Sequence, residues 1–209
     1  MKYINYGCGP SAPKEWTNYD VSPTLRIQKT PIIGTLIKSH LNIRFPENVK
    51  YGNIIKGLPE KENSCSGAYC SHTLEHLTYV DCIKALKNTY KILKPGGVFR
   101  CVLPDLEAYT KQYILDLEKG NVNANSEFMK KSYLGLQNKP LGWKEKLSFS
   151  FGNSKHLWMW DHLSLTNLLR EVGFIKIRNC KFNDSEDDMF KFVEEEKRFI
   201  NAVAIEAIK

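Results

Sequence analysis

Two glycines and an aspartate near the amino terminus have the residue types and spacing of a ligand site. Gly7 and Gly9 follow a strand predicted over Lys2–Tyr6, and Asp20 ends a second predicted strand, Thr17–Asp20. Glycine has no Cβ, so the backbone can turn sharply there and approach a bound molecule closely. A carboxylate at the end of the next strand can accept hydrogen bonds from both hydroxyls of a ribose. The pattern predicts a nucleoside pocket at the carboxyl ends of adjacent parallel strands.

The spacing argues against a dinucleotide. The dinucleotide fingerprint needs a third glycine that opens a helix and an acidic residue about 20 positions further on. Here no third glycine follows, and Asp20 lies 11 positions after Gly9, with Pro10 and Pro13 between them. A nucleoside without phosphates fits this turn better than a pyrophosphate.

Strands and helices must alternate to place such a turn. The predicted strands are Lys2–Tyr6, Thr17–Asp20, Val49–Asn53, Gly67–Ser71, Val98–Leu103, Phe174–Phe182 and Asn201–Ile208, and the predicted helices are Thr78–Leu93, a second from Asp105 to Gly120, and Ser164–Val172. This alternation predicts a mostly parallel sheet that is covered on both faces.

Two stretches interrupt the alternation. Residues 24–48 are amphipathic, and residues 120–162 carry three of the four tryptophans, Trp143, Trp158 and Trp160. Ligands of open parallel sheets bind beyond the carboxyl ends of the strands, so insertions there can form lids. Both stretches could equally cover the core.

Composition is that of a soluble protein with one domain, residues 1–209, which we expect in the cytoplasm. We find no apolar run of the roughly 20 residues that a membrane span needs, and no signal peptide. The six cysteines form no Cys-x-x-Cys pair, so we expect reduced thiols and no metal site.

Positive charge is concentrated in the first 182 residues. The net charge is +7, and residues 1–182 hold 26 basic against 15 acidic side chains. Such a surplus could favour an anionic substrate or nucleic acid, but an ordinary solvated surface explains it equally simply.

Several segments, in order, resemble class I S-adenosylmethionine-dependent methyltransferases. The matching segments are Ile4–Asp20, Tyr51–Pro59, Ser71–Leu77 (SHTLEHL), Ile92–Leu103 (ILKPGGVFRCVL) and His156–Phe174. More narrowly, the chain looks like the small bacterial methyltransferase type 11 group, which is associated with surface-polysaccharide synthesis.

The resemblance implies a Rossmann-like α/β three-layer sandwich whose seven-stranded sheet has an antiparallel last strand. It also implies S-adenosylmethionine as methyl donor and S-adenosylhomocysteine as product. Gly7, Cys8 and Gly9 would pass beneath the methionine, Asp20 would hold the ribose, Asn53 and Ile54 would face the adenine, and Ser71 would approach the methionine. The family usually has an acidic residue where Asn53 stands, but an asparagine carbonyl can also accept from the adenine amino group.

Methyl transfer to a hydroxyl also needs a base that removes its proton, and histidine suits this near neutral pH. His72, just past the fourth strand, is the first candidate, although it could simply fix the loop. Asp105 and His156 are further candidates, and Asp105 could instead cap a helix. The sequence Ser71–Leu74 (SHTL) differs from the Asn/Asp-Pro-Pro-Tyr/Phe of adenine and glutamine N-methyltransferases, which disfavours such substrates.

These residues predict an O-methyltransferase acting on a small or glycan-linked hydroxyl in surface-polysaccharide metabolism. An RNA methyltransferase is the alternative enzyme, although the chain shows no RNA-binding appendage and a nucleic-acid partner is not expected. A protein that binds the donor without catalysis is the alternative outside enzymes.

Overall fold

A seven-stranded sheet organises the chain in the computed structural model, which describes residues 1–30, 44–135 and 155–209. The strands are β1 (Tyr3–Tyr6), β2 (Thr17–Asp20), β3 (Val49–Tyr51), β4 (Cys65–Ser71), β5 (Leu93–Pro104), β6 (Ile175–Asn179) and β7 (Ala202–Ile208). Their order is β3-β2-β1-β4-β5-β7-β6. All pairs are parallel except those of β7, which runs antiparallel to β5 and β6. The predicted fold class and the antiparallel last strand are confirmed.

Both faces of the central strands are covered by other parts of the chain. Every residue of β1 and β4 is buried, as expected for the middle of a parallel sheet. Their carboxyl ends lie side by side, since Asn5 of β1 pairs with Tyr69 of β4 and with Asn18 of β2. The turn after β1 therefore meets the ends of both neighbouring strands.

Five α-helices accompany the sheet in the described residues. They are α1 (Pro23–Gln28), α2 (Tyr79–Ile92), α3 (Leu106–Glu118), α4 (Ala124–Lys131) and α5 (His162–Val172). The Thr78 side chain caps α2, and Asp161 and Ser164 form a capping box that starts α5 two residues before the predicted position. Gly173 ends α5 with φ of 116°, a left-handed conformation that glycine adopts without strain.

The larger core lies between the sheet and the helices α2 and α5. It contains Leu86 of α2 and Leu169 of α5, packed against strand residues such as Ile4 and Phe99. A smaller cluster contains strand side chains that do not belong to the larger core. It surrounds Phe190, which lies in a 3₁₀ turn at Asp188–Phe192.

Several elements differ from their predicted form: β3 ends at Tyr51, two residues before the prediction, and β4 begins at Cys65, two residues before it. β6 ends at Asn179, three residues before the prediction, and its pairing with β7 is irregular between Ile175 and Arg178, where Lys176 has φ of 47°. β5 begins at Leu93, so the Lys94–Gly97 segment that stops α2 also belongs to the sheet. The amphipathic helix α3 has no buried residue and packs mainly on α4.

The two predicted insertions are described only in part. α1 lies in residues 24–48, whereas α4 and the segment from Lys155 lie in residues 120–162. Trp143 lies outside the described residues. Their interpretation as lids stays a prediction.

All six cysteines are free and buried, as predicted. A helix long and apolar enough to cross a bilayer is absent from the ranges that the structure describes.

A buried cluster of ion pairs connects β5, β7 and the segment between β6 and β7. Arg100 of β5 is fully buried. Its guanidinium donates to Glu194 at 2.7 Å, Glu206 at 2.7 Å and Asp184 at 3.0 Å. A buried guanidinium needs such partners, because an unpaired buried charge costs several kcal/mol, of the order of 3–5.

Candidate active site

A cavity of about 730 Å³ opens at the carboxyl ends of β1, β2, β3 and β4. Six of the seven predicted donor-binding residues and one predicted catalytic residue line it: Gly7, Gly9, Asp20, Asn53, Ile54, Ser71 and His72. A groove of similar volume runs along α3, where apolar side chains such as Leu106 and Ile114 alternate with charged ones such as Glu107 and Lys111. Only the first cavity collects polar groups at the strand ends where parallel sheets bind ligands.

The turn after β1 has left-handed backbone at both glycines, and the two serve different ends. Gly7 has φ of 63°, and a Cβ built there would lie 2.2 Å from Oγ1 of Thr73. Gly9 has φ of 55°, and a Cβ there would meet nothing within 4 Å. Gly7 therefore allows close packing of the loops after β1 and β4, whereas the absence of a side chain at Gly9 leaves open space in the cavity.

Asp20 is held in place by backbone amides. Its Oδ2 accepts from the Gly9 N–H at 2.9 Å, and its Oδ1 accepts from the Ser22 N–H at 2.7 Å. Each carboxylate oxygen keeps a further lone pair. The carboxylate is thus oriented and still able to accept two more hydrogen bonds.

Asn53 begins a small turn at the β3 side of the cavity. Its Oδ1 accepts from the Ile55 N–H at 2.9 Å. One lone pair of the amide oxygen is therefore used, and a second remains for a ligand donor. Ile54, next to it, is 7% exposed and provides an apolar surface.

Ser71 ends β4 beneath the cavity. Its Oγ is buried and has no hydrogen-bond partner in the described part of the chain. Buried hydroxyls are normally paired, so this group is available to a bound molecule.

His72 lies in the loop after β4 with φ of 49°. Its Nε2 lies 3.1 Å from the Arg198 carbonyl oxygen, which can only accept. Nε2 therefore carries the hydrogen, and Nδ1, 3.5 Å from Oε1 of Glu75, carries the lone pair. Burial lowers the pKa of His72, which favours the neutral ring.

Three predicted site residues lie outside the cavity. The Cys8 side chain packs with Leu25, Phe45 and Val49, and burial and the nearby Asp20 raise its pKa. Asp105 caps α3 by accepting from the Glu107 N–H at 3.0 Å.

His156 lies behind the cavity wall. Its Nε2 is 4.0 Å from Glu75 Oε1, and burial lowers its pKa to about 4.

Two residues that the sequence did not indicate also line the cavity, Arg198 and His76. Arg198 lies in a 3₁₀ turn, Glu196–Phe199, that precedes β7. The only local signal is a basic pair after three glutamates, which does not specify a site. His76 lies four residues after His72, and no feature of the sequence separates it from a structural histidine.

Comparisons with known proteins agree with this geometry. A family described as "Methyltransferase domain" matches residues 3–178, most of the chain. The chain belongs to this methyltransferase-domain family. No curated protein matches the chain.

A solved structure shows the same fold. A SAM-dependent methyltransferase from Thermotoga maritima, described as a possible histamine N-methyltransferase, has a TM-score of 0.50 and 16% identity, covering 100% of this chain and 82% of that one. A SAM-dependent methyltransferase from Archaeoglobus fulgidus has a TM-score of 0.49 and 14% identity, covering 100% of this chain and 86% of that one. The predicted class, a methyltransferase enzyme that uses S-adenosylmethionine, is confirmed.

The residues of this methyltransferase fit its donor. An oriented carboxylate, a buried unpaired hydroxyl and a glycine that leaves space converge from three strand ends on one cavity. A carboxylate can accept hydrogen bonds from a ribose diol, and a hydroxyl and a glycine turn leave room for the polar methionine end of the donor.

Proposed function

We propose that the protein transfers the methyl group of S-adenosylmethionine to a hydroxyl of a small or glycan-linked acceptor, in surface-polysaccharide metabolism. The observation that carries the proposal is the single cavity in which the donor residues and the His72 loop meet. When bound, the donor supplies an electrophilic methyl group. The protein must then orient an acceptor oxygen and provide for its proton.

On the donor side, Asp20 would hold the ribose hydroxyls, while Asn53 and Ile54 would face the adenine. Gly7 and Gly9 would carry the main chain beneath the methionine, where the Ser71 hydroxyl is unpaired.

Arg198 completes the donor side in this proposal. Its side chain is 32% exposed, and it lines both the main cavity and a small recess beside Gly7 and Ser71. A guanidinium there can pair with the donor carboxylate through two parallel hydrogen bonds. Arg198→Gln should therefore weaken donor binding measured by calorimetry.

On the acceptor side, we assign His72 as the group that takes the hydroxyl proton. Nδ1 has the lone pair, and Glu75 at 3.5 Å would stabilise the imidazolium that forms. Asp105 and His156 do not line the cavity, so the structure offers them less direct roles than the sequence suggested.

An exposed aromatic pair beside the His72 loop supports a sugar acceptor. Tyr79 and Trp158 are 41% and 44% exposed, and their ring centroids lie 4.9 Å apart. The Trp158 N–H donates to the Glu75 carbonyl at 3.2 Å, which ties the aromatic pair to the His72 loop. Aromatic rings with an apolar face and a polar edge suit a sugar ring.

The test is a labelled-methyl assay with glycan extracts and total RNA, run beside calorimetry with the donor and its demethylated product. We expect label in carbohydrate and binding of both nucleosides. Label in RNA alone would favour an RNA methyltransferase, and binding without transfer would favour a non-catalytic protein. Either result would overturn the proposal.

His72→Asn sharpens the test, because asparagine tolerates positive φ. We expect donor binding to persist while transfer falls by about 10²–10⁴-fold, the usual contribution of a general base. His162→Asn is the matched control, since His162 does not line the cavity. Unchanged transfer in His72→Asn would remove His72 from the mechanism.

A further inference from the structure

A second cluster of chemistry-bearing residues lies directly behind the His72 loop. Glu75 and His76 belong to the 3₁₀ turn Leu74–His76, and His156 lies in the segment before α5. One potential ligand atom of each, a carboxylate oxygen and two imidazole nitrogens, lie within 4.8 Å of one another. The cluster joins residues that are far apart in the sequence.

Glu75 is the unusual member. The residue is fully buried, and neither carboxylate oxygen has a hydrogen-bond partner in the described residues. Its Oε1 lies 3.9 Å from Nε2 of His76 and 4.0 Å from Nε2 of His156. These separations exceed the 2.7–3.2 Å of ordinary N–H···O bonds. Burying a carboxylate without a partner is costly, so Glu75 must be either protonated or paired with a cation that this cluster binds.

The hydrogen-bond partners of the two Nδ1 atoms determine whether each Nε2, which faces Glu75, carries a hydrogen or a lone pair. Nδ1 of His76 lies 2.8 Å from the Lys155 carbonyl oxygen, which only accepts, so Nδ1 carries the hydrogen. Nδ1 of His156 faces the Met159 sulfur at 3.2 Å, also an acceptor. Both Nε2 atoms therefore point lone pairs toward Glu75.

Three lone-pair donors that converge on one point repel each other unless a proton or a metal cation lies between them. Metal-binding histidines typically donate their other N–H to a carbonyl, as His76 does. Around tetrahedral zinc, with bonds of about 2.0–2.1 Å, ligand atoms lie about 3.3 Å apart. The Glu75–His76 and Glu75–His156 separations of 3.9 and 4.0 Å and the third, which is within 4.8 Å, would have to shorten to that value when an ion binds.

We propose that Glu75, His76 and His156 bind one divalent first-row transition ion such as zinc. Two imidazoles and one carboxylate suit such ions better than magnesium, which prefers oxygen ligands. Backbone hydrogen bonds hold the segment that contains His156 against the turn that contains Glu75 and His76. The backbone N–H groups of Leu157 and Trp158 both donate to the Glu75 carbonyl, at 2.7 and 3.2 Å.

The site has the pattern of a catalytic metal centre, in which three protein ligands leave a position open. His76 lines the donor cavity, so the open position would face the acceptor. There the ion would bind the acceptor oxygen and favour loss of its proton. This role rests on the proposed function, whereas the metal site itself does not.

The test is titration of chelator-treated, full-length protein with Zn²⁺ by calorimetry and with Co²⁺ by absorption spectroscopy, without methyl donor. We expect one ion per chain in wild type and in the control His162→Gln. Glu75→Gln and His156→Asn should each weaken binding by at least about 100-fold. The Co²⁺ spectrum should lack thiolate charge-transfer bands, which separates this site from the six cysteines.

Glu75→Gln also separates the proposal from a simpler arrangement, in which Glu75 is a buried neutral acid and binds no metal. Burial raises the pKa of Glu75 to about 8. If Glu75 were only a neutral acid, glutamine would replace it without a change in metal affinity. Wild-type affinity for Zn²⁺ weaker than millimolar, or wild-type affinity retained in both variants, would overturn the proposal. If Glu75→Gln fails to fold, His156→Asn decides, because it changes a different segment.

Donor binding to the metal-free protein is measured in parallel. Loss of donor binding would count against the proposed function alone, and loss of metal binding would count against the metal site alone. The two can therefore fail separately.

Discussion

Gly7 and Gly9 look equivalent in the sequence, and alanine substitution should show that they are not. Both have left-handed backbone, so each Ala variant should lose about 1–2 kcal/mol from strain. Only at Gly7 does the new Cβ also collide with Thr73, at 2.2 Å from Oγ1 and 2.5 Å from Cγ2. Thr73 cannot turn away freely, because its Oγ1 donates to the Ser71 carbonyl at 3.1 Å.

The collision adds an overpacking cost of about 1–3 kcal/mol. We therefore expect Gly7→Ala to lower the free energy of unfolding by about 2–5 kcal/mol and Gly9→Ala by about 1–2 kcal/mol. Urea unfolding of both variants measures the difference, and unchanged slopes would show that the unfolded states are comparable.

A double variant tests the cause. Thr73→Ala removes the two atoms that clash most and leaves Cβ, at 2.9 Å. Relative to Thr73→Ala alone, adding Gly7→Ala should cost less than it costs in wild type, with a coupling of about 0.5–3 kcal/mol. Equal losses in Gly7→Ala and Gly9→Ala, or no coupling with Thr73, would refute the packing explanation.

Gly9→Ala should instead act on the ligand. Its Cβ would enter open space at the cavity, so donor affinity should fall about tenfold or more while the protein stays folded. Unchanged donor affinity in calorimetry would show that the donor does not approach this turn.

Three further predictions concern one cavity residue and the buried cluster of ion pairs. Asp20→Asn should weaken donor binding by about 10–150-fold in calorimetry, since it removes a charge-assisted hydrogen bond worth about 1.5–3 kcal/mol; tight binding in the variant would refute the ribose role. Arg100→Met should lower the free energy of unfolding by about 3–5 kcal/mol, because it leaves buried carboxylates unpaired; a change below about 1 kcal/mol would contradict this. Although burial alone would raise them, hydrogen bonds from arginines lower the pKa values of Asp184 and Glu206 below 3.8 and 4.5. Their stabilisation should be complete above about pH 4.5 and be lost as pH falls through the lowered values, whereas Glu194, whose pKa is raised by burial, acts in the opposite direction. Acid-unfolding curves of wild type and Arg100→Met should therefore converge at low pH, and parallel curves would refute the linkage.

The sheet could be predicted from the sequence because short strand segments alternate with helical patterns along the chain. β2 has the predicted bounds, and β1 differs by one residue. α3 was harder to interpret, because its apolar residues have helical spacing yet remain outside the core. Spacing reports which face of a helix is apolar, but whether another element covers that face depends on tertiary structure.

Two residues of the proposed donor side could be singled out in the sequence for a different reason. Gly9 and Asp20 contact each other through backbone and short side chains 11 residues apart, so a local motif specifies them. His72 and Arg198 are 126 residues apart, and His76 contacts Lys155 across 79 residues. No local pattern specifies such pairs.

Different segments of the chain hold the proposed donor residues and the proposed acceptor wall. Asp20 is fixed by hydrogen bonds from Gly9 and Ser22, whereas the proposed acceptor wall depends on the segment from Lys155 to Trp160, which contacts Glu75 and His76 through its backbone. Changes in that segment can move His76 without disturbing Asp20. We therefore expect substitutions there to alter the acceptor and the transfer rate while donor affinity stays constant. Parallel losses of donor and acceptor binding would show instead that the two halves behave as one unit.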